Sequence, residues 1–326
     1  MRILVTGGCG FIGSHLVDFV LERTNHDIVV LDNFSTGTKT NLPDSDRLEV
    51  VDGDVCDDRV VSKQVGRADT VYHLAAAVGV QKIIDSPLDS LRTNLRGTEL
   101  VLETAAEDET QVFIASSSEV YGKSEAVPFA ESDDRVLGPT ESLRWSYASA
   151  KAVDEALALA YNRKRELPVV VGRYFNIVGP RQTGQYGMVI PTFVEQALTG
   201  EPLTVYGDGT QTRSFTHVRD AVRVTYQLLH SLEAYGSVFN IGSPHPTSIN
   251  DLAERIIELT GSDSEIKHIP YEVAFDENFE EPQQREPDVT KLEETLGRHP
   301  ETELDRILED VIEERRSKLW AEGEIQ

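Results

Sequence analysis

Ile3-Leu4-Val5-Thr6-Gly7-Gly8-Cys9-Gly10-Phe11-Ile12-Gly13 decides the fold. An apolar run leads into glycines at 7, 10 and 13, and an apolar-periodic stretch follows over 14–21. The pattern predicts strand, glycine turn and helix, with the first glycine gap one residue wider than the usual dinucleotide fingerprint. Each glycine has a physical task. The first tolerates the positive φ of a tight turn. The second leaves no Cβ where a pyrophosphate has to approach, and the third lets the helix lie close to the sheet. The free N–H groups and positive dipole end of the helix then face the diphosphate. About 20 residues on, a strand over 28–31 ends at Asp32, placed for the 2′-hydroxyl of an adenosine ribose.

The chain has 326 residues, 39% of them hydrophobic, which is core enough for one large α/β domain or two lobes. Acidic residues number 56 against 31 basic ones, a net charge of −25. That field disfavours nucleic acid and anionic membranes as partners. Most of the basic residues are Arg. An acidic, lysine-poor surface suits a protein kept soluble in high salt and predicts a halophilic source. The two cysteines, Cys9 and Cys56, give neither a disulfide framework nor, with the histidines, a metal spacing. A reduced, cytoplasmic protein without a metal is expected. The chain opens on a strand rather than a leader, and no apolar run reaches the roughly 18 residues of a membrane span.

Strands are expected at 2–6, 28–31, 48–51, 70–74, 112–115 and 169–173, and helices at 12–23, 57–66, 88–107 and 146–165. This alternation predicts an α/β fold, a Rossmann-like doubly wound parallel sheet with a smaller C-terminal α/β lobe. The dinucleotide-binding domain is placed at 1–175, with segments near 212–243 returning to it. The substrate lobe takes most of 176–320, and 321–326 is a frayed tail. The second half reads as a glycine-rich loop at 184–187, a helix at 191–198 and a strand at 203–206. A hairpin turn, Gly207-Asp208-Gly209, and the stretch 213–217 come next. Helices at 219–231 and 249–260 and strands at 238–241 and 265–269 are assigned to the smaller lobe. A loop over 272–287 precedes a helix at 303–318.

Ligands collect at the carboxyl ends of such strands. Asp32-Asn33 close the second strand, and Asp54-Val55 follow the third. The fourth ends in His73-Leu74-Ala75-Ala76-Ala77, where small residues admit a flat cofactor. His73, inside a buried strand, reads as a satisfied core histidine. Ser116-Ser117-Ser118-Glu119 gather three hydroxyls and a carboxylate at the fifth strand end. Tyr147 and Lys151, four apart in a helix, share one face. An ammonium one turn from a phenol is expected to lower its pKa from about 10 and make it an acid/base near neutral pH.

With these motifs the chain resembles the extended short-chain dehydrogenase/reductases that act on nucleotide sugars. GGCGFIG, LDNFSTG, HLAAAV, SSSEVYG, YASAK, RYFNIVGPR, VIPTFV and LTVYGDGTQTRSFTHVRD carry the likeness, which runs over essentially the whole length. The resemblance implies NAD as a resident cofactor. Gly7, Gly10, Phe11, Ile12 and Gly13 would bind its diphosphate. Asp32 and Asn33 would hold the adenosine ribose, and Asp54 and Val55 would meet the adenine. Leu74, Ala75 and Ala76 would line it, with Asn94 behind and Tyr174 beside the nicotinamide. Tyr147 would take the sugar 4-OH proton, Lys151 would hold the nicotinamide ribose, and Ser117 would bond the same sugar oxygen. Ser118 would face the substrate, and Asn176, Tyr206, Arg213 and Arg285 would hold its nucleotide diphosphate. By the same likeness, paired helices at 88–107 and 146–165 imply a homodimer.

The reaction is less sharply marked. Family 4,6-dehydratases carry Asp-Glu where this chain has Ser118-Glu119. UDP-glucuronate decarboxylases carry Ser-Glu, and 4-epimerases usually have a smaller residue in place of Glu119. HLAAAVGV and MVIPTF are nearer to epimerases. The expectation is therefore an isomerase, a UDP-hexose 4-epimerase working through a 4-keto sugar. UDP-glucuronate decarboxylase is the alternative. A 4,6-dehydratase, and an NAD sensor that keeps no acid/base pair, rank below both.

Overall fold

Val, Ile and Leu fill the first strands because both faces of a parallel sheet are covered. The computed structural model describes residues 1–77, 86–184, 188–274 and 282–324. In it β1 (Arg2–Thr6), β2 (Asp27–Asp32), β3 (Leu48–Asp52), β4 (Thr70–His73), β5 (Gln111–Ser117), β6 (Val169–Tyr174) and β11 (Ser237–Ile241) form one seven-stranded sheet. The order is β3-β2-β1-β4-β5-β6-β11, and every neighbouring pair is parallel.

Strand alternation sorts the core into two layers. Ile3 and Val5 pack with Leu16, Val17 and Val20 of α1 (Phe11–Arg23) and with Val222 and Leu228 of α6 (Val218–Leu229). Leu4 points the other way, into Val61 and Val65 of α2 (Asp58–Val65), Leu100 and Val101 of α3 (Pro87–Glu107) and Ala158 of α4 (Arg144–Arg165). A third cluster makes the smaller lobe. It joins Phe193 and Val194 of α5 (Val189–Thr199), Leu252 and Ile256 of α7 (Ile249–Thr260), and Ile307 and Leu308 of α9 (Leu304–Glu322). Leu203 and Val205 of β8 (Leu203–Tyr206) complete it.

β11 and α6 pack on the main sheet, within the segment 212–243, with Phe239 and Ile241 buried in the α1/α6 layer. Other readings of the second half change. Gly207-Asp208-Gly209 does not close a hairpin. β8 pairs in parallel with β13 (Ile266–Ile269), whereas β9 (Thr212–Ser214) lies between β12 (Pro246–Ser248) and β14 (Gln284–Arg285). Thr216–His217, strand β10, runs beside β7 (Ile177–Val178) instead of extending β9. A helix over Thr290–Leu296, α8, was not anticipated, since only Leu292 in it is buried. α9 continues to Glu322 and ends on Gly323. The loops expected at 184–187 and 272–287 fall partly outside the described residues.

β1 is flanked by β2 and β4, so the winding reverses there. A crevice at such a reversal, at the carboxyl ends, is where ligands of doubly wound sheets lie.

Candidate active site at the carboxyl edge of the sheet

The glycine loop is built by close backbone approach. Gly7 has φ 70°, and a Cβ there would lie 2.8 Å from the Ala75 nitrogen. At Gly13 it would lie 2.3 Å from the Gly7 carbonyl oxygen, so the start of α1 can seat on the loop only as glycine. Gly10 differs: its Cβ would meet only the Gly7 oxygen, at 3.2 Å, and otherwise open space. Gly10 caps α1 without a side-chain bond, and the first turn holds no acidic residue. Bare N–H groups beside a missing Cβ fit a diphosphate.

Asp32 ties this loop to the next strand end. Its Oδ2 accepts the Cys9 N–H at 2.9 Å and its Oδ1 accepts the Phe34 N–H at 2.8 Å. Burial and the nearby Asp32 push the Cys9 thiol up to about 12, so it stays protonated. Asn33 donates to Asp54 Oδ2 at 3.0 Å, and the Cys56 N–H donates to Asp54 Oδ1 at 2.8 Å. Against the opposing effect of burial, these bonds hold the Asp54 carboxyl below its usual range. Val55 is buried below them. Leu74, Ala75 and Ala76 are half-buried, and Asn94 accepts the Ala77 N–H at 2.9 Å. Phe11 and Ile12 are half-buried at the top of α1. Tyr174 turns into the α1/α6 layer, its hydroxyl 2.7 Å from Thr225 Oγ1, and offers the cleft no polar group of its own.

The polar cluster forms where β5 ends. Ser117 Oγ accepts the Glu119 N–H at 3.3 Å, opening a 3-10 turn over Ser118–Tyr121. Tyr147, in the first turn of α4, bonds the Ser117 hydroxyl. Its phenol is pushed well up, first by burial, then by the charges of Glu119 and Asp154, with the Ser117 bond acting the other way. The expected lowering by Lys151 is not seen. The Lys151 ammonium lies 3.2 Å from Asp154 Oδ2, on the turn beyond, and both side chains are buried. Ser118, expected to face the substrate, is buried at 4% exposure. His73 is the core histidine expected, with Thr6 and Thr98 hydroxyls at 2.8 and 3.2 Å.

The small sheet supplies the cations. β9 and β14 run in parallel with Arg213 and Arg285 as direct partners. Both are 7% exposed. Two guanidiniums abreast are favourable only beside anions. Arg213 donates to the Thr212 carbonyl at 2.7 Å, and Arg285 Nη1 lies 2.5 Å from Glu119 Oε1. Arg285 thus joins the β9–β14 pair to the Glu119 cluster. Asn176, at φ 37°, donates to the Ser214 carbonyl at 2.9 Å, and Tyr206 is exposed.

One part of the site escaped the sequence reading. Arg173 of β6 forms a bidentate pair with Glu155 of α4, at 2.9 and 2.7 Å, and Ser116 donates to the same carboxylate. Arg173 also bonds the Tyr121 hydroxyl at 2.8 Å, which donates to Asn240 at 2.7 Å. Asn240 in turn bonds the carbonyls of Phe129 and Asp288. This buried network fixes α4, the Glu119 turn and the segment after Arg285 against one another. No local motif signals it, because its members come from six separate stretches.

Comparison with known proteins matches this architecture. A model of the NAD dependent epimerase/dehydratase family covers residues 3–242. The chain belongs to that family. NAD is its cofactor, and the glycine loop with Asp32 is the part of the structure that fits it. Among its relatives is a UDP-N-acetyl-alpha-D-glucosaminuronate decarboxylase of Bacillus cytotoxicus, 41% identical over 96% of this chain and 97% of that one. A UDP-glucuronic acid decarboxylase 6 of Arabidopsis thaliana is 36% identical over 98% and 90%. Among solved structures, the UDP-glucose 4-epimerase of Thermotoga maritima with UDP-glucose superposes with TM-score 0.88 at 30% identity, over 98% of this chain and 100% of that one. The sequence reading led with epimerisation; the relatives of higher identity are decarboxylases.

Proposed function

We propose that the protein is a UDP-hexuronate decarboxylase, converting UDP-glucuronate or its N-acetylglucosamine-derived counterpart to a UDP-pentose. The observation that carries this reading is the Glu119–Arg285 ion pair beside Tyr147 and Ser117. It is supported by the decarboxylase names of the relatives above. A 4-epimerase of neutral hexoses has no anion at C6 that needs an arginine. A hexuronate brings a carboxylate to that position.

The glycine loop, Asp32 and Lys151 would hold NAD, which would supply the acceptor for the C4 hydride and return that hydride afterwards. Tyr147 takes the 4-OH proton, and Ser117 orients the oxygen. With C4 a ketone, the C6 carboxylate belongs to a β-keto acid. The C5–C6 bond breaks, CO2 leaves, and the electron pair moves onto the C4 oxygen, where Tyr147 and Ser117 present hydroxyls. Water supplies a proton to C5 as the enolate returns to the ketone, and Tyr147 gives its proton back to the C4 oxygen on reduction. Arg285 admits the incoming carboxylate beside Glu119. Repulsion from Glu119 is relieved as that charge moves from the carboxylate to the C4 oxygen and CO2 leaves neutral, which favours the transition state over the ground state. Arg213 and Asn176 are assigned to the UDP diphosphate.

The experiment is a parallel incubation with UDP-glucuronate, UDP-N-acetylglucosaminuronate, UDP-glucose and UDP-N-acetylglucosamine, products read by mass and NMR. Decarboxylation of a hexuronate supports the proposal. Epimerisation of the neutral sugars with the hexuronates untouched returns the function to a 4-epimerase. A homodimer, a cytoplasmic location and adaptation to high salt remain part of the same reading, each open to its own test.

A further inference from the structure

Lys151 and Asp154 bury a whole ion pair inside α4, with side-chain exposures of 2% and 0%. Tyr147 lies four residues before Lys151 and Asp154 three after it, so the two stand on successive turns on either side of the ammonium. The structure bonds that ammonium to Asp154 at 3.2 Å. Asp154 Oδ1 accepts no hydrogen bond of ordinary geometry among the described residues. Thr98 of α3 acts on the carboxylate as well as Lys151, and Thr98 is itself engaged with His73 of β4. A buried pair of this kind adds little stability over well-packed apolar side chains. Neutralising Lys151 therefore gives a weak reason for a carboxylate at 154.

The other charges around it have partners, although Glu119 still opposes the phenolate. Glu155, the next residue on α4, is taken up by Arg173 of β6 and Ser116 of β5. His73 is held neutral by burial. Glu119, which faces Tyr147 from the 3-10 turn, is paired with Arg285. Asp154 bonds the Lys151 ammonium, and no lowering of the Tyr147 phenol by that ammonium is seen.

We propose that Asp154 is a positioning residue: it holds the Lys151 ammonium one helical turn away from Tyr147 and so sets how much of that charge the phenol can use. The proposal rests on Tyr147 as the base of the reading above, but not on which sugar is turned over. Asp154 acts on the base through Lys151 and through its own negative charge, which opposes phenolate formation.

Asp154→Asn keeps the shape and removes the competing charge. The base works deprotonated, so the acid limb of the kcat/KM profile should move down by about one pH unit. Asp154→Glu keeps the charge and should leave the limb near its wild-type place. Tyrosine ring NMR on NAD-loaded protein without sugar reads the ionisation directly, with the Tyr147 signal assigned by its loss in Tyr147→Phe. The same downward move is expected there. Should Asp154→Asn not fold, Asp154→Ser, which leaves room for a water, carries both readouts. An unmoved limb and NMR midpoint with only a lower Tm would overturn the proposal, and so would failure of both neutral variants to fold. An NMR midpoint that moves in a protein turning over no nucleotide sugar would leave Asp154 in its role and remove the proposed function instead.

Discussion

His73 and Tyr147 show how burial divides titratable side chains at one edge of a sheet. His73 reads from sequence as a core residue because apolar strand surrounds it, and burial lowers its pKa to about 3. Its neutral form contributes stability that is complete above the unfolded value near 6.5 and is lost as pH falls toward about 3. In that window this one group should cost about 1.4 kcal/mol per pH unit. Denaturation of wild type and His73→Asn across the window should show the wild type losing stability more steeply; parallel slopes would contradict the assignment. Tyr147 was legible as a candidate from its spacing to Lys151. The direction of its shift was not, because it comes first from burial and then from the charges of Glu119, far away in sequence, and Asp154, three residues beyond Lys151. Tyr147→Phe keeps the ring and removes the titrating oxygen. Turnover should fall by roughly 10²-fold or more with NAD still bound, and near-normal turnover would show another base at work.

Elements whose signal is local were readable. The glycine loop, the strands of the first half and helices α1 to α4 follow from period and turn chemistry. The pairing of β9 with β14 was not readable, because two- and three-residue strands take their partners from distant stretches. That matters for the site, since the β9–β14 pairing is what sets Arg213 against Arg285. The glycine loop yields a sharper prediction. Gly13→Ala forces a Cβ into backbone at 2.3 Å, so both thermal stability and NAD affinity should fall. Gly10→Ala meets one oxygen at 3.2 Å, so Tm should change little while NAD affinity, measured by titration calorimetry, drops at least tenfold. Equal Tm losses in the two variants would show that Gly10 serves packing rather than the diphosphate.

At the scale of the whole molecule, a net charge of −25 and the outer face of α4 make separate claims. Val153 is 47% exposed beside a shallow cleft of about 440 Å³ lined also by Leu137, Ala152, Ala156 and Leu157. If the proposed homodimer uses this face, Val153→Glu should yield monomers by light scattering while wild type stays dimeric. Stability rising with KCl would support high-salt adaptation, and a protein equally stable without salt would remove it. Chemistry is the claim on which the rest depends. The most direct measurement is the mass of the nucleotide sugar recovered after incubating NAD-loaded enzyme with UDP-glucuronate and UDP-N-acetylglucosaminuronate. The account predicts that at least one loses the mass of a single CO2, and that Glu119→Gln abolishes that loss. Both hexuronates recovered unchanged by an enzyme that interconverts UDP-glucose and its C4 epimer would contradict it.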